Sequence, residues 1–269
     1  MLGAICGDII GSYYEVHSTK SYDFEIQKDS SFTDDTVLIM AVAKAILYNP
    51  SDINIFKMNS RAKEYGAHYR QFYSRYPGAG FGNMFSEWAK DPYASVGRSY
   101  GNGAAMRVIP IGYAYKTLSQ TLLQARASCL STHNNSEAIK GAEAVAAAIF
   151  LARQGKTKEE IKNFIEKRFK YNLGTPLSTI RETHIFDSRT SYSVPPAIVA
   201  FLESTNYESA IRNAISLGGD ADTEACIAGG IAEAFYRSIP KEIEDFCQRK
   251  LDSGFKPIIK EFYNAYRLI

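Results

Sequence analysis

The chain has 269 residues, of which 45% are hydrophobic and 22% are charged, and its formal net charge is +2. This length is enough to bury a large core, while the balance of charge leaves no strong field for nucleic acid or an anionic membrane. No run of 18 apolar residues is present, so the composition excludes a membrane-spanning helix.

The N-terminal segment and the cysteines indicate a cytoplasmic protein. Asp8 interrupts the apolar residues at the N-terminus too early for the core of a signal peptide. The four cysteines lie far apart and form no Cys-x-x-Cys pair, as is typical of reduced thiols in an intracellular protein. No internal repeat or low-complexity linker divides the chain, and we therefore expect one domain over residues 1–269.

The first predicted helix carries glycines and carboxylates at regular spacing. Gly3, Gly7 and Gly11 recur every four residues and so share one helix face. Glycine inside a helix costs about 0.5–1 kcal/mol relative to alanine, and the usual compensation is close approach to a second helix. Asp8 and Glu15 are seven residues apart and also lie close to one face. Either the glycines serve tight packing alone, or they bring these carboxylates to other polar residues.

The next predicted helix starts with two adjacent aspartates. The segment reads FTDDTVLIMAVAKAIL, so Asp34 and Asp35 directly precede an apolar run suited to burial. Thr and Asp are common at helix N-termini, where their side chains accept hydrogen bonds from free backbone N–H groups. Helix capping alone is therefore one interpretation of these aspartates.

Helical spacing continues along the rest of the chain. The segments are SEAIKGAEAVAAAIFLARQG, KEEIKNFIEKRF, PPAIVAFLES, YESAIRNAISL, TEACIAGGIAEAFYRSI and EDFCQRKLDSGFKPIIKEFYNAYRL. Pro195 and Pro196 stand where a helix can start. Residues 72–103 and 172–196 interrupt the pattern and are predicted to be functional loops. Because alternating strands are scarce, we expect an all-α fold, a compact orthogonal bundle of about ten or more helices.

A second pair of aspartates has the same sequence context as the first. Asp220 and Asp222 follow two glycines, precede Thr223 and open a helix. If the two helix starts converge, four carboxylates share one pocket, and each pair about 5 Å apart repels by roughly 3 kcal/mol at an effective dielectric constant of 20. Two divalent cations would balance these charges, and oxygen ligands favour Mg²⁺ or Mn²⁺ over Zn²⁺.

Six motifs along the chain together resemble those of the ADP-ribosylglycohydrolases. In chain order they are GDIIGSYYE, FTDDT, GRSYGNGAAMRVIPIG, STHNNSEAI, SVPPAIVAFL and LGGDADTEACIAGGIAEAFYRSIP. The resemblance covers nearly the whole chain, and FTDDT combined with GGDADT at this separation is specific. The family includes the dinitrogenase-reductase-activating glycohydrolase and the ADP-ribosylhydrolases.

The resemblance implies an all-α fold with a dinuclear metal cleft that holds two Mg²⁺ or Mn²⁺ ions. It implies hydrolysis of the glycosidic bond between ADP-ribose and an acceptor, usually a protein side chain. Carried over by position, the metal ligands are Thr33, Asp34, Asp35, Asp220, Asp222 and Thr223. The implied catalytic residues are Glu15, Asp34 and Asp35. The implied substrate-binding residues are Ser99, Tyr100, Gly101, Asn102, Gly103 and His133.

The acceptor stays open at the level of the sequence. Arginine, serine or another side chain, a modified nucleic-acid end and free O-acetyl-ADP-ribose are all compatible with the motifs. A non-catalytic ADP-ribose-binding or structural relative is a further alternative. Such a protein is expected to lose its metal-binding residues, whereas this sequence retains all six of them together with Glu15. The DDxxD pattern of isoprenoid enzymes and the His-Asp dipeptide of HD phosphohydrolases are both missing. We expect a monomer that acts on ADP-ribose or an ADP-ribosylated protein, without membrane association.

Several residues outside the metal motifs receive structural interpretations. Arg107 is predicted to be a structural tie between a helix and a loop, and Cys226 a buried packing residue. The histidines other than His133, His184 among them, have no partner at a recognisable spacing. Glu224 stands where many members of the family carry an uncharged residue, and it either extends the outer shell of the metal site or faces solvent.

Overall fold

The computed structural model describes residues 1–266, which form α-helices, one short 3-10 helix at Ile55–Lys57 and no β-sheet. The helices are α1 (Leu2–Val16), α2 (Asp34–Tyr48), α3 (Met58–Arg75), α4 (Asn83–Lys90), α5 (Gly103–Met106), α6 (Ile109–Ala114), α7 (Leu118–Cys129), α8 (Ser136–Arg153), α9 (Lys158–Phe169), α10 (Leu177–Thr183), α11 (Thr190–Leu202), α12 (Tyr207–Ile215), α13 (Ala221–Tyr236), α14 (Lys241–Lys250) and α15 (Phe255–Tyr266). Within this part of the chain no helix combines the length and the hydropathy needed to cross a bilayer. The predicted all-α fold is confirmed.

The glycine face of α1 packs directly against α13. A Cβ atom placed on Gly7 would lie 2.1 Å from the carbonyl oxygen of Ala225, and one on Gly3 would lie 2.7 Å from the carbonyl oxygen of Gly229. Such contacts leave no room for a side chain, so the two helices approach each other at backbone distance. Gly11 meets the first residues of α13. The two helices are therefore antiparallel, and the end of α1 lies beside the start of α13.

The apolar run of α2 is buried on every side. Residues 37–43 are each at most 1% exposed, as expected of a helix that is apolar all round. α2 packs against α3, α6 and α15, while α8 contacts α5, α6, α7, α9, α11 and α13. Thr33 caps α2, and its hydroxyl oxygen accepts a hydrogen bond from the Asp35 backbone N–H over 3.3 Å. Because the body of α2 is fixed by burial, its first turn is held in place.

The start of α11 differs from the expectation based on its prolines. The helix begins at Thr190, so Pro195 and Pro196 lie inside it and not at its first turn. Each proline lacks the N–H that would bond the carbonyl four residues earlier, here the carbonyls of Ser191 and Tyr192. Both of those residues are exposed, so water can satisfy their carbonyl groups. The helix can therefore contain two prolines at a modest cost.

The C-terminal helical segment is broken by a turn, which the spacing alone did not indicate. α14 ends at Lys250 and α15 begins at Phe255. Between them Asp252 Oδ1 accepts hydrogen bonds from the Gly254 backbone N–H (2.7 Å) and from the Tyr76 hydroxyl (2.9 Å). An aspartate side chain that bonds nearby backbone competes with the helix, and here it ends the helical run.

The two segments predicted to be loops are only partly irregular. Residues 72–103 contain the end of α3 and all of α4, and residues 172–196 contain α10 and the start of α11. The longest irregular part that remains is residues 91–102, which exceeds the usual length of a connection in a compact domain, while the other irregular parts are shorter.

Candidate active site

A cavity of about 410 Å³ opens where the end of α1 meets the starts of α2 and α13. Its acidic lining comes from five carboxylates: Glu15, Asp34, Asp35, Asp220 and Asp222. The rest of the lining comes mainly from the two interrupted segments, including the glycine-rich residues 97–103. Helix packing therefore gathers acids from both ends of the sequence around one volume.

The two aspartate pairs converge in space. The Thr223 hydroxyl donates a hydrogen bond to Asp35 Oδ2 over 3.3 Å, which links the start of α13 to the start of α2. Two sets of three carboxylates each bring one oxygen per residue within 4.8 Å of the others: Asp8, Asp35 and Asp222, and Glu15, Asp220 and Asp222. Asp222 belongs to both sets.

Asp8 lies within the helix pair and holds the start of α2. Its carboxylate accepts hydrogen bonds from the backbone N–H groups of Thr33 (3.0 Å) and Thr36 (3.1 Å), and from both of their hydroxyl groups. Asp8 thus caps α2 from a different helix and fixes the turn that carries Asp34 and Asp35. Thr33 belongs to this capping network and is not part of the cavity lining.

The shifted pKa values reflect the free-energy cost of so many neighbouring carboxylates. Burial raises the pKa of Asp34 to about 8, and the charges of Asp8 and Asp220 add to the effect. Burial, together with nearby carboxylates, raises the pKa of Asp35 and of Asp222 well above the ordinary range. Without a positive partner, such a cluster retains protons and loses part of its negative charge.

The available oxygen atoms suit a hard divalent cation. Asp35 Oδ1 is buried and has no hydrogen-bond partner among the described residues. A buried carboxylate oxygen without a partner is costly, and a bound cation would satisfy it. Carboxylate and hydroxyl oxygens are the ligands that Mg²⁺ and Mn²⁺ prefer. The residues present therefore fit the ions expected from the sequence.

The glycine-rich loop lies along the cavity and is tied to the acidic residues. Asn102 Nδ2 donates hydrogen bonds to Asp220 Oδ2 and to Ser193 Oγ, both over 2.8 Å. The loop residues that line the cavity are Gly97, Ser99, Gly101, Asn102 and Gly103. Tyr100, which the resemblance places among the substrate-binding residues, is 53% exposed and is not part of the lining.

His133 lies at the side of the cavity formed by this loop. The imidazole lines the cavity although the residue is only 5% exposed. A Cβ atom on Gly103 would lie 3.3 Å from His133 Nε2, so a side chain at position 103 would crowd this nitrogen. The glycine therefore keeps Nε2 open to the cavity.

Several lining residues were not singled out from the sequence. They are Leu38, Gly80, Gly82, Asn83, Met84, Phe85, Trp88, Gly97, Met106, Thr132, Phe186 and Ser188. Met84 and Phe186 are each more than half exposed and place apolar side chains at the cavity. The composition of the two interrupted segments indicated functional loops, but it did not indicate which of their side chains would face the site.

Glu224 and His184 form a buried pair, which rules out the solvent-facing alternative for Glu224 and gives His184 a partner that its spacing did not reveal. Glu224 is fully buried and does not face solvent, and its Oε1 lies 2.6 Å from His184 Nε2. Burial raises the pKa of Glu224 to about 7, while the contact with His184 opposes this shift. The two residues are far apart in sequence, so no spacing rule could pair them. A Cβ atom on Gly219 would collide with both side chains, which places the pair directly beneath the Asp220 turn.

Arg107 and Cys226 have the structural roles that were predicted from the sequence. Arg107 is fully buried, and its Nη2 donates hydrogen bonds to the Ser128 carbonyl and the Thr132 hydroxyl, which confirms a structural tie. Cys226 is buried within α13, and burial followed by the charge of Asp35 raises the pKa of its thiol well above the ordinary value. This thiol therefore serves packing and is not activated as a nucleophile.

Known proteins resemble this chain, some of them along nearly its whole length. A family model described as ADP-ribosylglycohydrolase matches residues 1–267. ADP-ribosylhydrolase ARH3 from Homo sapiens is 28% identical over 323 residues, which cover 92% of this chain and 88% of the human protein. ADP-ribosylarginine hydrolase Tri1 from Pseudomonas putida is 28% identical over 142 residues, which cover 51% of this chain and 38% of that protein. A solved structure described as an ADP-ribosylglycohydrolase-related protein complex has 25% identity and a TM-score of 0.71, covering 99% of this chain and 96% of its own.

Proposed function

Because the chain belongs to the ADP-ribosylglycohydrolase family, we propose that it hydrolyses the glycosidic bond that joins ADP-ribose to a protein side chain. The observation that carries this proposal is the convergence of Glu15 with the aspartates of α2 and α13 beside a glycine-rich loop. The relatives support the class of reaction, since the human protein ARH3 is named an ADP-ribosylhydrolase. The complete set of carboxylates favours an active enzyme over a non-catalytic ADP-ribose-binding relative.

In this proposal, six residues hold two Mg²⁺ or Mn²⁺ ions. They are Thr33, Asp34, Asp35, Asp220, Asp222 and Thr223. Bound there, the ions would supply Lewis acidity and lower the pKa of a coordinated water. Asn102 and Asp8 hold the ligand-bearing turns through hydrogen bonds to Asp220 and Thr33. Asp222 belongs to both carboxylate sets, so its substitution is expected to affect both ion positions.

Glu15 is the carboxylate best placed to exchange protons with solvent. It is exposed, whereas Asp35 and Asp222 are buried. Partial burial and the charge of Asp220 raise its pKa. A carboxyl group with a raised pKa can take a proton from an attacking water or give one to the leaving group. Asp34 and Asp35, the other two proposed catalytic residues, would orient the water toward the anomeric carbon.

The glycine-rich loop and His133 would bind the ADP-ribose moiety. The backbone N–H groups of Ser99, Gly101 and Asn102 already donate hydrogen bonds within the protein. Among the described residues the N–H groups of Tyr100 and Gly103 have no such acceptor, so these two can approach a diphosphate. Ser99 and His133 would add side-chain contacts inside the cavity, and Tyr100 would meet the ligand from its exposed position. We propose that the protein does this as a cytoplasmic monomer, which sedimentation of the purified protein would check for its oligomeric state.

The direct test measures release of ADP-ribose from mono-ADP-ribosylated protein in Mg²⁺, in Mn²⁺ and in excess chelator. Arginine-linked protein, serine-linked protein and free O-acetyl-ADP-ribose form the three substrate arms. We expect release from a protein substrate that stops in chelator, because the clustered carboxylates need cations to stay charged. If ADP-ribose is released only from O-acetyl-ADP-ribose, the substrate is this free derivative and not a modified protein. If none of the three substrates releases ADP-ribose, the proposal is overturned.

Asp222→Asn is the variant matched to this test. Asparagine keeps the shape of the side chain but removes the negative charge of Asp222, the residue that both carboxylate sets share. We expect turnover to fall by about 100-fold or more, with the far-UV circular dichroism unchanged. Asp23→Asn, at an exposed position, serves as the control. A near wild-type rate for Asp222→Asn would contradict the two-ion model.

A further inference from the structure

The imidazole of His133 has one nitrogen in the cavity and one in the protein interior. Nε2 lies near Gly103 and Gly101, both of which line the cavity, and it has no hydrogen-bond partner among the described residues. Nδ1 lies 2.8 Å from the Thr132 hydroxyl oxygen. A histidine in this position can present either a donor or an acceptor to a ligand, and the tautomer decides which.

The hydrogen bonds on the interior side of the His133 ring determine its tautomer. Arg107 Nη2 donates to the Thr132 hydroxyl oxygen over 2.7 Å, and a guanidinium group can only donate. The hydroxyl proton of Thr132 then needs an acceptor of its own. Among the described residues, its one available acceptor is Nδ1 of His133. Nδ1 therefore accepts, and the ring proton is left on Nε2.

The charge of Arg107 also favours a neutral His133 ring. Its side chain is fully buried and stacks at 4.3 Å over the Tyr69 ring. Within residues 1–266 no carboxylate lies within ion-pair distance of it, and its Nε and Nη1 atoms have no hydrogen-bond partner. Burial and this cation lower the pKa of His133 well below its ordinary value. An uncompensated buried cation also favours a negative group on the cavity side of the imidazole.

We propose that Arg107 and Thr132 are positioning residues that fix His133 as a neutral ring with its proton on Nε2, so that His133 donates a hydrogen bond to a diphosphate oxygen of the ligand. The identity of that ligand rests on the proposed function, whereas the tautomer rests on the Arg107–Thr132–His133 chain alone. In this state His133 cannot accept a proton at the cavity, so the base of the reaction must come from the carboxylates.

The tautomer is tested without any ligand by a long-range ¹⁵N–¹H correlation spectrum of the ¹⁵N-labelled protein. The His133 signals are assigned by their loss in His133→Gln. We expect one protonated nitrogen, Nε2, at neutral pH in the wild type and in Thr132→Ser, which keeps the hydroxyl. We expect the Nδ1-protonated form to appear in Thr132→Val. A wild-type ring protonated on Nδ1, or on both nitrogens, would overturn the proposal.

The ligand contact is tested by calorimetric titration of ADP-ribose in the presence of Mg²⁺. We expect Thr132→Val to weaken binding by about tenfold and Thr132→Ser to restore it. Thr121→Val is the matched control, since Thr121 has a fully buried hydroxyl group on α7 that bonds the Thr117 carbonyl away from the cavity. Equal affinity of the two valine variants would refute the contact. If the wild type binds no ADP-ribose, the proposed function fails, while the spectrum still decides the tautomer.

Discussion

Asp8 shows how one residue can organise a site without being assigned to it. Its carboxylate accepts four hydrogen bonds from Thr33 and Thr36 and so fixes the first turn of α2. The sequence placed Asp8 on the same helix as Glu15 but gave no sign of this capping role. The donors come from a loop and a helix start that follow later in the chain, and only the tertiary fold brings them to Asp8.

Asp8→Ala is expected to lower the free energy of unfolding by about 2–4 kcal/mol. The change removes the cap of α2 and leaves the buried Thr36 hydroxyl and N–H groups without an acceptor. Urea unfolding followed by circular dichroism measures the effect. Asp23→Ala, at an exposed position, is expected to change stability by less than about 0.5 kcal/mol. Equal stability of the two variants would mean that Asp8 does not hold this turn.

The α1–α13 pair links packing to the geometry of the site. Spacing alone predicted that Gly3, Gly7 and Gly11 share a face, and this face does lie against a second helix at backbone distance. The partner helix could not be identified from spacing. The family motifs, however, associated the aspartates of α2 and α13, and the structure brings these together. Local pattern thus predicted the faces, and the motifs predicted which helix starts would meet.

Gly7→Ala tests whether this close approach is required. The new methyl group would lie 2.1 Å from the Ala225 carbonyl oxygen, a backbone atom that cannot move aside. We expect the free energy of unfolding to fall by about 3 kcal/mol or more, as for other overpacked cores. Gly78→Ala is the control, because a Cβ atom there meets nothing within 4 Å. A Gly7→Ala protein as stable as this control would show that α1 can shift away from α13.

The His184–Glu224 pair joins the segment after α10 to the first turn of α13. His184→Ala would leave both carboxylate oxygens of Glu224 without a partner in a fully buried site, since Oε2 already has none. We expect stability to fall by about 2–4 kcal/mol, measured by urea unfolding. Glu224→Gln keeps an acceptor for the imidazole and should cost less. The pairing would be refuted if His184→Ala unfolded at the same urea concentration as the exposed-site variant His17→Ala.

The whole molecule is held together by contacts between distant parts of the sequence. α1 lies against α13, and α2 packs against α15, so helices from the two ends of the described chain share one core. We therefore propose that residues 1–269 form one domain and expect a single calorimetric transition whose van 't Hoff and calorimetric enthalpies agree. Two resolved transitions would contradict a single domain. Under the proposed function, addition of Mg²⁺ should raise the transition temperature, because a cation that binds the folded cluster stabilises the folded state.

The fold class followed from the sequence because helical spacing is a local property. The helix boundaries at α11 and between α14 and α15 did not follow, because they depend on how exposed carbonyls and the Asp252 side chain find their partners. The candidate site followed in part, since the aspartate motifs mark the helix starts. The cavity side chains of α4 and of the segment after α10 did not follow, because nothing in their spacing shows which of them face inward.

The pairing of α1 with α13 has a consequence for synthesis on the ribosome. α1 emerges before α13, but the backbone that covers its glycine face belongs to residues near 221–236. Until those residues leave the exit tunnel, the nascent chain exposes the apolar surface of α1 and lacks Asp220 and Asp222 of the acidic cluster. We therefore expect the acidic cluster to be completed only late in synthesis, and a chain released before α13 is made to present an uncovered apolar surface to chaperones and proteases.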